Sequence, residues 1–437
     1  MNRLSRRQFI ITAGATAAGT LLVHGCSSVS SETPSSPRPA ANINPADAPE
    51  VTTAKLGFIA LTDAAPLIVA KEKGYFEKYG MTDVKVVKQT SWAATRDNLE
   101  LGSEGNGIDG AHILSPMPYL ISTGQITKGN KKIPMYLLAR LNLDGQCISV
   151  ANSFKELKVD VKSNALKEAF AKEKSTGKTI KCAVTFPGGT HDMWMRYWLA
   201  AGGMEPKQDV DTIVIPPPQM VTNMKEGQMA AFCVGEPWNA QLVNQKLGYT
   251  AFTTGELWQN HPEKAFAMRG DWVDKNPKAT QAILKAILEA QIWCDKLENK
   301  QEMCEIIGKS EWLKVPVKDI VERAKGRFDY GDGRVVENSP HLMKFWSESA
   351  SYPFKSHDLW FLTENIRWGY LPGDTDTKKL VDAVNREDLW KQAAKAIGQE
   401  AAIPKSTSRG VETFFDGIKF DPENPQAYLK SLTIKKV

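Results

Sequence analysis

The chain has 437 residues, 42% of them hydrophobic and 24% charged, with 55 basic and 50 acidic residues and a formal net charge of +5. So small an excess of positive charge argues against nucleic acid as a partner. The length exceeds that of one ordinary hydrophobic core and favours two lobes.

The N-terminal segment predicts export. A basic start precedes an apolar stretch from Phe9 to Val23, which at about 15 residues is too short to span a membrane. Residues 1–25 are therefore predicted to be a signal peptide, and the adjacent Arg6 and Arg7 match the twin-arginine pattern. Without this segment 52 basic residues face 50 acidic ones, so the charge falls to +2.

The segment Val23-His24-Gly25-Cys26 is similar to a lipobox, which predicts a lipid-modified Cys26 at the mature N-terminus. A free cysteine after an ordinary cleavage site is the alternative. Residues 26–50 are rich in Ser, Pro and Ala and are predicted to form a flexible tether, because they cannot bury enough apolar surface to fold. Acyl chains on Cys26 would hold the protein at a membrane surface.

Strand-like and helix-like segments then alternate in a βαβ series, which predicts mainly parallel sheets covered by helices. Asp63 is expected to cap the first helix, and Gly80 to end it. A helix with an apolar stripe is expected after Asn276 and Pro277. The predicted strands of the first half are residues 54–61, 83–89, 107–114, 179–186, 212–218 and 229–235.

This pattern predicts the two-lobed α/β plan of periplasmic-type binding proteins (type II), with a ligand cleft between the lobes. Lobe 1 is expected to contain residues 51–150 together with 245–437, including C-terminal helices. Lobe 2 is expected to contain residues 151–244.

The five cysteines of the body are scattered, odd in number and without a metal-ligand spacing such as Cys-x-x-Cys. They are expected to be buried free thiols, and no metal site is expected. They are Cys147, Cys182, Cys233, Cys294 and Cys304.

The segment TFPGGTHDMW is the first candidate for a binding site. A strand runs into Gly188 and Gly189 and a helix begins at Thr190 and His191, so backbone N–H groups and the helix dipole could receive an anion. His191 could donate a hydrogen bond to it. A histidine that only supports the helix start is the alternative.

Four other segments offer single candidates, each more often structural when it stands alone. Trp92 is expected in a loop before a helix, where its indole could bound a planar anion, and Gln146 could donate from its amide. Gly235 and Glu236 follow an apolar strand, where ligands of α/β sheets gather. Lys264 would supply a positive charge suited to a monovalent anion.

Enzyme motifs are absent from the sequence: it has no G-x-S-x-G, Walker loop, H-E-x-x-H or dinucleotide fingerprint. Neither catalytic residues nor a cofactor are expected. Cys182 and His191 share one segment and could form a nucleophile pair, but the apolar surroundings of Cys182 favour a buried strand residue.

Over nearly its whole length, the chain resembles the nitrate-binding lipoproteins of cyanobacterial nitrate importers and their bicarbonate-binding relatives. The similarity lies in the lipobox, TDAAPLIVAKEKGYFEKYG, TFPGGTHDMW, CVGEPWNAQ and SRGVETFFDGIKFDPENP. It implies a lipid-anchored protein on the periplasmic side of the plasma membrane that delivers nitrate, and nitrite, to the permease and ATPase subunits of an ABC importer. The anion-binding residues it implies are Trp92, Gln146, His191, Gly235 and Lys264.

Lys264 is the residue that distinguishes nitrate from bicarbonate as the expected ligand. The resemblance implies an acidic residue and a calcium ion in bicarbonate binders, whereas a lysine neutralises a monovalent anion directly. Nitrate is therefore favoured, and bicarbonate binding with calcium is the alternative. An enzyme of the same fold that acts on a pyrimidine precursor is the alternative from another class.

Overall fold

The computed structural model of the protein describes residues 44–434. Within this range no helix is both long and apolar enough to cross a membrane. The predicted signal peptide, the lipobox cysteine Cys26 and most of the tether lie outside the described residues, so they remain predictions.

Two five-stranded sheets organise the described chain, with strand orders β2-β1-β3-β10-β4 and β7-β6-β8-β5-β9. Their strands are β1 (Thr53–Phe58), β2 (Asp83–Lys88), β3 (Gly110–Leu114), β4 (Met135–Arg140), β5 (Gln146–Ala151), β6 (Lys181–Val184), β7 (Asp211–Val214), β8 (Ala231–Gly235), β9 (Gly248–Thr253) and β10 (Lys264–Arg269).

Each sheet is mixed rather than purely parallel. In the first, β1 pairs in parallel with β2 and β3, whereas β10 is antiparallel to both β3 and β4. In the second, β6 pairs in parallel with β7 and β8, whereas β5 is antiparallel to both β8 and β9. The prediction of mainly parallel sheets holds for strand direction, since only one strand of each sheet is reversed.

Strand pairing places two segments differently from the predicted lobe boundaries. β5 and β9 both belong to the second sheet, although the prediction placed most of β5 and all of β9 in lobe 1. The chain crosses between the sheets at residues 141–145 and 254–263. Sequence periodicity could not predict these crossings, because a fully buried strand shows no alternation of polar and apolar residues and its sequence does not reveal the sheet to which it belongs.

Helices cover both sheets. They are α1 (Ala65–Glu72), α2 (Tyr75–Lys78), α3 (Trp92–Leu101), α4 (Met117–Thr123), α5 (Asn164–Ser175), α6 (Thr190–Ala201), α7 (Met220–Lys225), α8 (Trp238–Asn244), α9 (Thr254–Leu257), α10 (Gly270–Lys275), α11 (Pro277–Asp295), α12 (Lys300–Gly308), α13 (Val321–Ala324), α14 (Lys355–Arg367), α15 (Thr377–Val384), α16 (Glu387–Ala396) and α17 (Pro425–Ser431). Two short hairpins add β11 (Phe328–Asp329) with β12 (Val335–Val336), and β13 (Glu412–Thr413) with β14 (Lys419–Phe420).

The start of the long helix α11 shows how the sequence sets a boundary. Pro277 is its first residue, as predicted, because the missing N–H of proline costs nothing there. Asn276 does not cap it; the Glu50 carboxylate instead accepts the N–H groups of Lys278 and Ala279 at 3.0 and 2.9 Å. An acidic group at this end also suits the helix dipole.

The five cysteines of the body are free and buried, which confirms the prediction for them. Burial raises the pKa of Cys182 to about 12, so its sulfur is a neutral thiol at physiological pH. This protonation state argues against Cys182 as a nucleophile.

Candidate anion-binding site

The five predicted ligand residues converge on one buried polar cluster between the two sheets. Lys264 begins β10 and Trp92 begins α3, both on the side of the first sheet. From the second sheet come Gln146, which begins β5, and Gly235, which ends β8, while His191 lies in the first turn of α6. The side chains of the four non-glycine residues are fully buried.

Lys264 lies between two carboxylates at the centre of this cluster. Its Nζ is 3.0 Å from Asp63 Oδ2 and 2.8 Å from Glu263 Oε1. Burial by itself lowers the pKa of Lys264, but the two carboxylates outweigh burial and raise it, so the ammonium keeps its charge. The same ammonium lies 5.8 Å from the centre of the Trp92 ring.

Asp63 is held in its charged form by its neighbours. Burial alone raises the pKa of this carboxyl, but Lys264 and His112 together bring it well below its ordinary value. His112 Nε2 lies 2.6 Å from Asp63 Oδ1, and its Nδ1 accepts the N–H of Ile59 at 3.4 Å. This pattern assigns the ring proton to Nε2, which donates to Asp63.

A second chain of hydrogen bonds carries no formal charge. His191 Nδ1 is 2.5 Å from the Thr185 hydroxyl, and its Nε2 is 2.6 Å from Gln146 Oε1. The amide of Gln146 donates in turn to Asp63 Oδ2 at 3.2 Å. Burial lowers the pKa of His191 far below its ordinary value, so its ring is neutral and Nε2 is the donor.

Gly235 keeps room for these groups. It is paired with Gln146 across the sheet, and a methyl group in place of its hydrogen would lie 2.9 Å from Gln146 Oε1 and 3.2 Å from Asp63 Oδ2. A side chain at this position would therefore press on both polar groups.

Carboxylates of the protein itself accept hydrogen bonds at the start of helix α6. The prediction that backbone N–H groups of TFPGGTHDMW receive an anion is therefore restricted to the His191 side chain. Gly188 N–H donates to Asp192 Oδ2 at 2.9 Å. Glu263 accepts the Thr190 hydroxyl, and also the Trp194 indole N–H at 2.9 Å. From this segment His191 therefore contributes through its ring rather than through the glycine N–H groups.

Trp92 differs in one respect from the prediction, since it is the first residue of α3 rather than part of a loop. The Ser91 hydroxyl accepts the Ala94 N–H at 3.1 Å and so caps the helix one residue earlier. The Trp92 indole N–H is buried and has no hydrogen-bond partner among residues 44–434. An unpaired buried donor is costly, so this N–H is available to a ligand.

Sequence reasoning missed three members of the cluster. Asp63 was expected to cap a helix, but it is fully buried and pairs with Lys264 and His112 instead. Glu263 went unremarked beside Lys264. The available signal was chemical: Asp63 and His112 each interrupt an apolar segment, and buried charges need partners.

Glu236, the neighbour of Gly235 in the chain, forms a buried ion pair with Arg323. Its other oxygen accepts the Ala240 N–H at 3.1 Å. Because Glu236 follows Gly235 in the chain, this ion pair stabilises the turn that contains Gly235.

The mixed sheets, the helices around them and the buried site between them define a two-lobed α/β fold of the periplasmic-binding-protein type. Residues 47–308 match the model of the NMT1-like family. The chain belongs to this family.

Relatives of known function are similar over the full length. The nitrate/nitrite binding protein NrtA of Nostoc sp. strain PCC 7120 is 63% identical, with 100% of both chains covered. The crystal structure of the periplasmic nitrate-binding protein NrtA from Synechocystis PCC 6803 is 65% identical with a TM-score of 0.87, covering 89% of this chain and 100% of that one. The bicarbonate-binding protein CmpA of Synechococcus elongatus is 44% identical over 99% of this chain and 98% of its own.

Proposed function

We propose that this protein captures nitrate, and nitrite, outside the cytoplasm and delivers it to an ABC importer. The observation that carries the proposal is the buried convergence of a charged lysine, a neutral histidine, an amide and an unpaired indole N–H. The full-length similarity to nitrate/nitrite binding proteins supports it.

The donors suit a small monovalent oxyanion. Lys264 supplies one positive charge, and the Trp92 indole supplies an N–H group without a partner among the described residues. His191 Nε2 and the Gln146 amide, which donate to Gln146 Oε1 and Asp63 in this structure, would turn to the ligand when it binds. These three donors are neutral, so they can orient three oxygen atoms without favouring a divalent ion. Because the cluster is fully buried, a ligand enters only when the lobes separate at the crossover segments 141–145 and 254–263.

Bicarbonate binding with calcium is the second candidate, since Asp63 and Glu263 are a pair of carboxylates of the kind that calcium prefers. The Lys264 ammonium already lies within 3.0 Å of both. It occupies the place between them that a bridging cation would need, and its charge repels such a cation. This geometry favours nitrate.

The relatives reported above are binding proteins rather than enzymes, so we propose binding without turnover. The permease and ATPase subunits of an importer would then be separate partner chains that recognise the closed lobes. We further propose that Cys26 carries the lipid that holds the protein on the periplasmic side of the plasma membrane. A Cys26→Ser variant should then be recovered in the soluble fraction instead of the membrane fraction, with its ligand affinity unchanged.

Isothermal titration with nitrate, nitrite and bicarbonate, each with and without calcium, tests the ligand. Saturable nitrate binding that does not depend on calcium supports the proposal. Bicarbonate binding that requires calcium would transfer the protein to the second candidate. Release of a chemically altered product would instead indicate the enzyme alternative.

A further inference from the structure

A small cavity lies next to the candidate anion site but is lined by different residues. Three of its lining residues, Thr62, Gly145 and Glu236, are the chain neighbours of Asp63, Gln146 and Gly235. Its volume is about 20 Å³, which is enough for one water-sized particle. Nitrate, with four heavy atoms, does not fit there.

One residue that lines the cavity is a buried cation that forms no close ion pair with any residue in 44–434. Lys300, the first residue of α12, is 1% exposed and lines the cavity. Within residues 44–434 its ammonium has neither an ion pair nor a hydrogen-bond acceptor; its contact is with the Phe345 ring, 4.7 Å away. The second cation of the cavity, Arg323, is paired with Glu236 and is therefore satisfied.

A second unpaired group lines the same space. The Thr62 hydroxyl is buried and makes no hydrogen bond to any described residue. An ammonium and a hydroxyl are both donors, so together they call for an acceptor. Much of the remaining lining is apolar, including Met303 and Met343.

We propose that this cavity binds a monatomic, monovalent anion of about the size of chloride, held by the Lys300 ammonium and the Thr62 hydroxyl. A water molecule could accept both hydrogen bonds, but it would bring no negative charge to an ammonium whose burial the more distant Asp295 compensates only in part. Burial lowers the pKa of Lys300, and Asp295 offsets only part of that effect. A bound anion would favour the charged ammonium further. The proposal does not depend on the identity of the ligand at the main site.

Thermal unfolding of the full chain at constant ionic strength tests the proposal, with chloride or bromide compared against acetate, a larger monovalent anion with four heavy atoms. Saturating halide should raise Tm by about 1–3 °C over acetate. Lys300→Met should abolish this difference, and Thr62→Val should weaken the apparent halide affinity several-fold. Lys296→Met is the matched control, because Lys296 is exposed nearby and should leave the difference unchanged.

A bromide-soaked crystal provides a readout that does not depend on the stability of the variants. An anomalous peak beside Lys300 is expected in the unmodified protein. A water in the cavity with no anomalous signal, or a halide effect that Lys300→Met leaves intact, would overturn the proposal. Nitrate titrations at the main site would be unaffected by that result, so the two proposals can fail separately.

Discussion

The two lobes supply different kinds of chemistry to one site, although their sheets share the same topology. The first lobe contributes the charged groups Asp63 and Lys264, already paired with each other. The second contributes neutral hydrogen-bonding groups, Gln146 and His191. A pair that stays within one lobe remains compensated when the lobes separate. The division therefore lets the site open without leaving a buried charge unpaired.

Removing the lysine should have the largest effect. Lys264→Met leaves two buried carboxylates without their cation, so we expect a loss of about 3–5 kcal/mol in the free energy of unfolding. Nitrate affinity should fall at least ~100-fold, since the positive charge of the site is lost. Chemical denaturation and titration measure the two effects.

The double variant Lys264→Met/Asp63→Asn separates folding from binding. It should restore part of the stability, because only Glu263 then remains without its cation, but it should not restore binding. Exposed Lys172 supplies the matched control, and Lys172→Met should change neither quantity. Full nitrate affinity in the double variant would refute a role for the lysine charge.

Changes in the neutral half should cost less stability than removal of the lysine. His191→Ala leaves the Thr185 hydroxyl and Gln146 Oε1 without their partner, at a cost of about 1–3 kcal/mol. Nitrate affinity should fall about 10–100-fold, the loss of one or two good hydrogen bonds. A loss of stability as large as that of Lys264→Met would contradict the distinction between the lobes.

Gly235→Ala tests the shape of the site with one methyl group. The added carbon would lie 2.9 Å from Gln146 Oε1, so the amide must move from its position between His191 and Asp63. We expect roughly a tenfold loss of nitrate affinity with little change in Tm. Gly373→Ala is the matched control, because an added methyl there meets no atom within 4 Å.

The smallest expected effect is on pH dependence, through Glu263. Burial raises the pKa of this carboxyl above its ordinary value, although Lys264 opposes the shift. A bound anion would raise the pKa further, so binding takes up a proton and nitrate affinity should rise a few-fold as pH falls from about 8 to 5.5. Burial lowers the pKa of both His112 and His191, so these rings take up a proton less readily than an exposed histidine.

Glu263→Gln removes the titrating group while it keeps a side chain of the same shape. Its nitrate affinity should be nearly independent of pH over this range. Titrations at several pH values, in buffers matched for ionic strength, distinguish the two proteins. A pH dependence that persists in Glu263→Gln would assign the proton to another group.

The sequence by itself determined the succession of the early strands and helices, the start of α11 at Pro277 and the burial of the cysteines, because these follow from local periodicity and composition. Through the family resemblance it also named the five residues that meet in the site. Only the tertiary structure decided that Asp63, His112 and Glu263 join them, since their partners lie far away in the chain. The tertiary structure also decided that β5 and β9 belong to the second sheet, because the neighbours of a buried strand are known only from its hydrogen-bonded pairing. Lys300 and Thr62 line one cavity although they are more than two hundred residues apart in the chain, so no local sequence pattern could reveal that they share it.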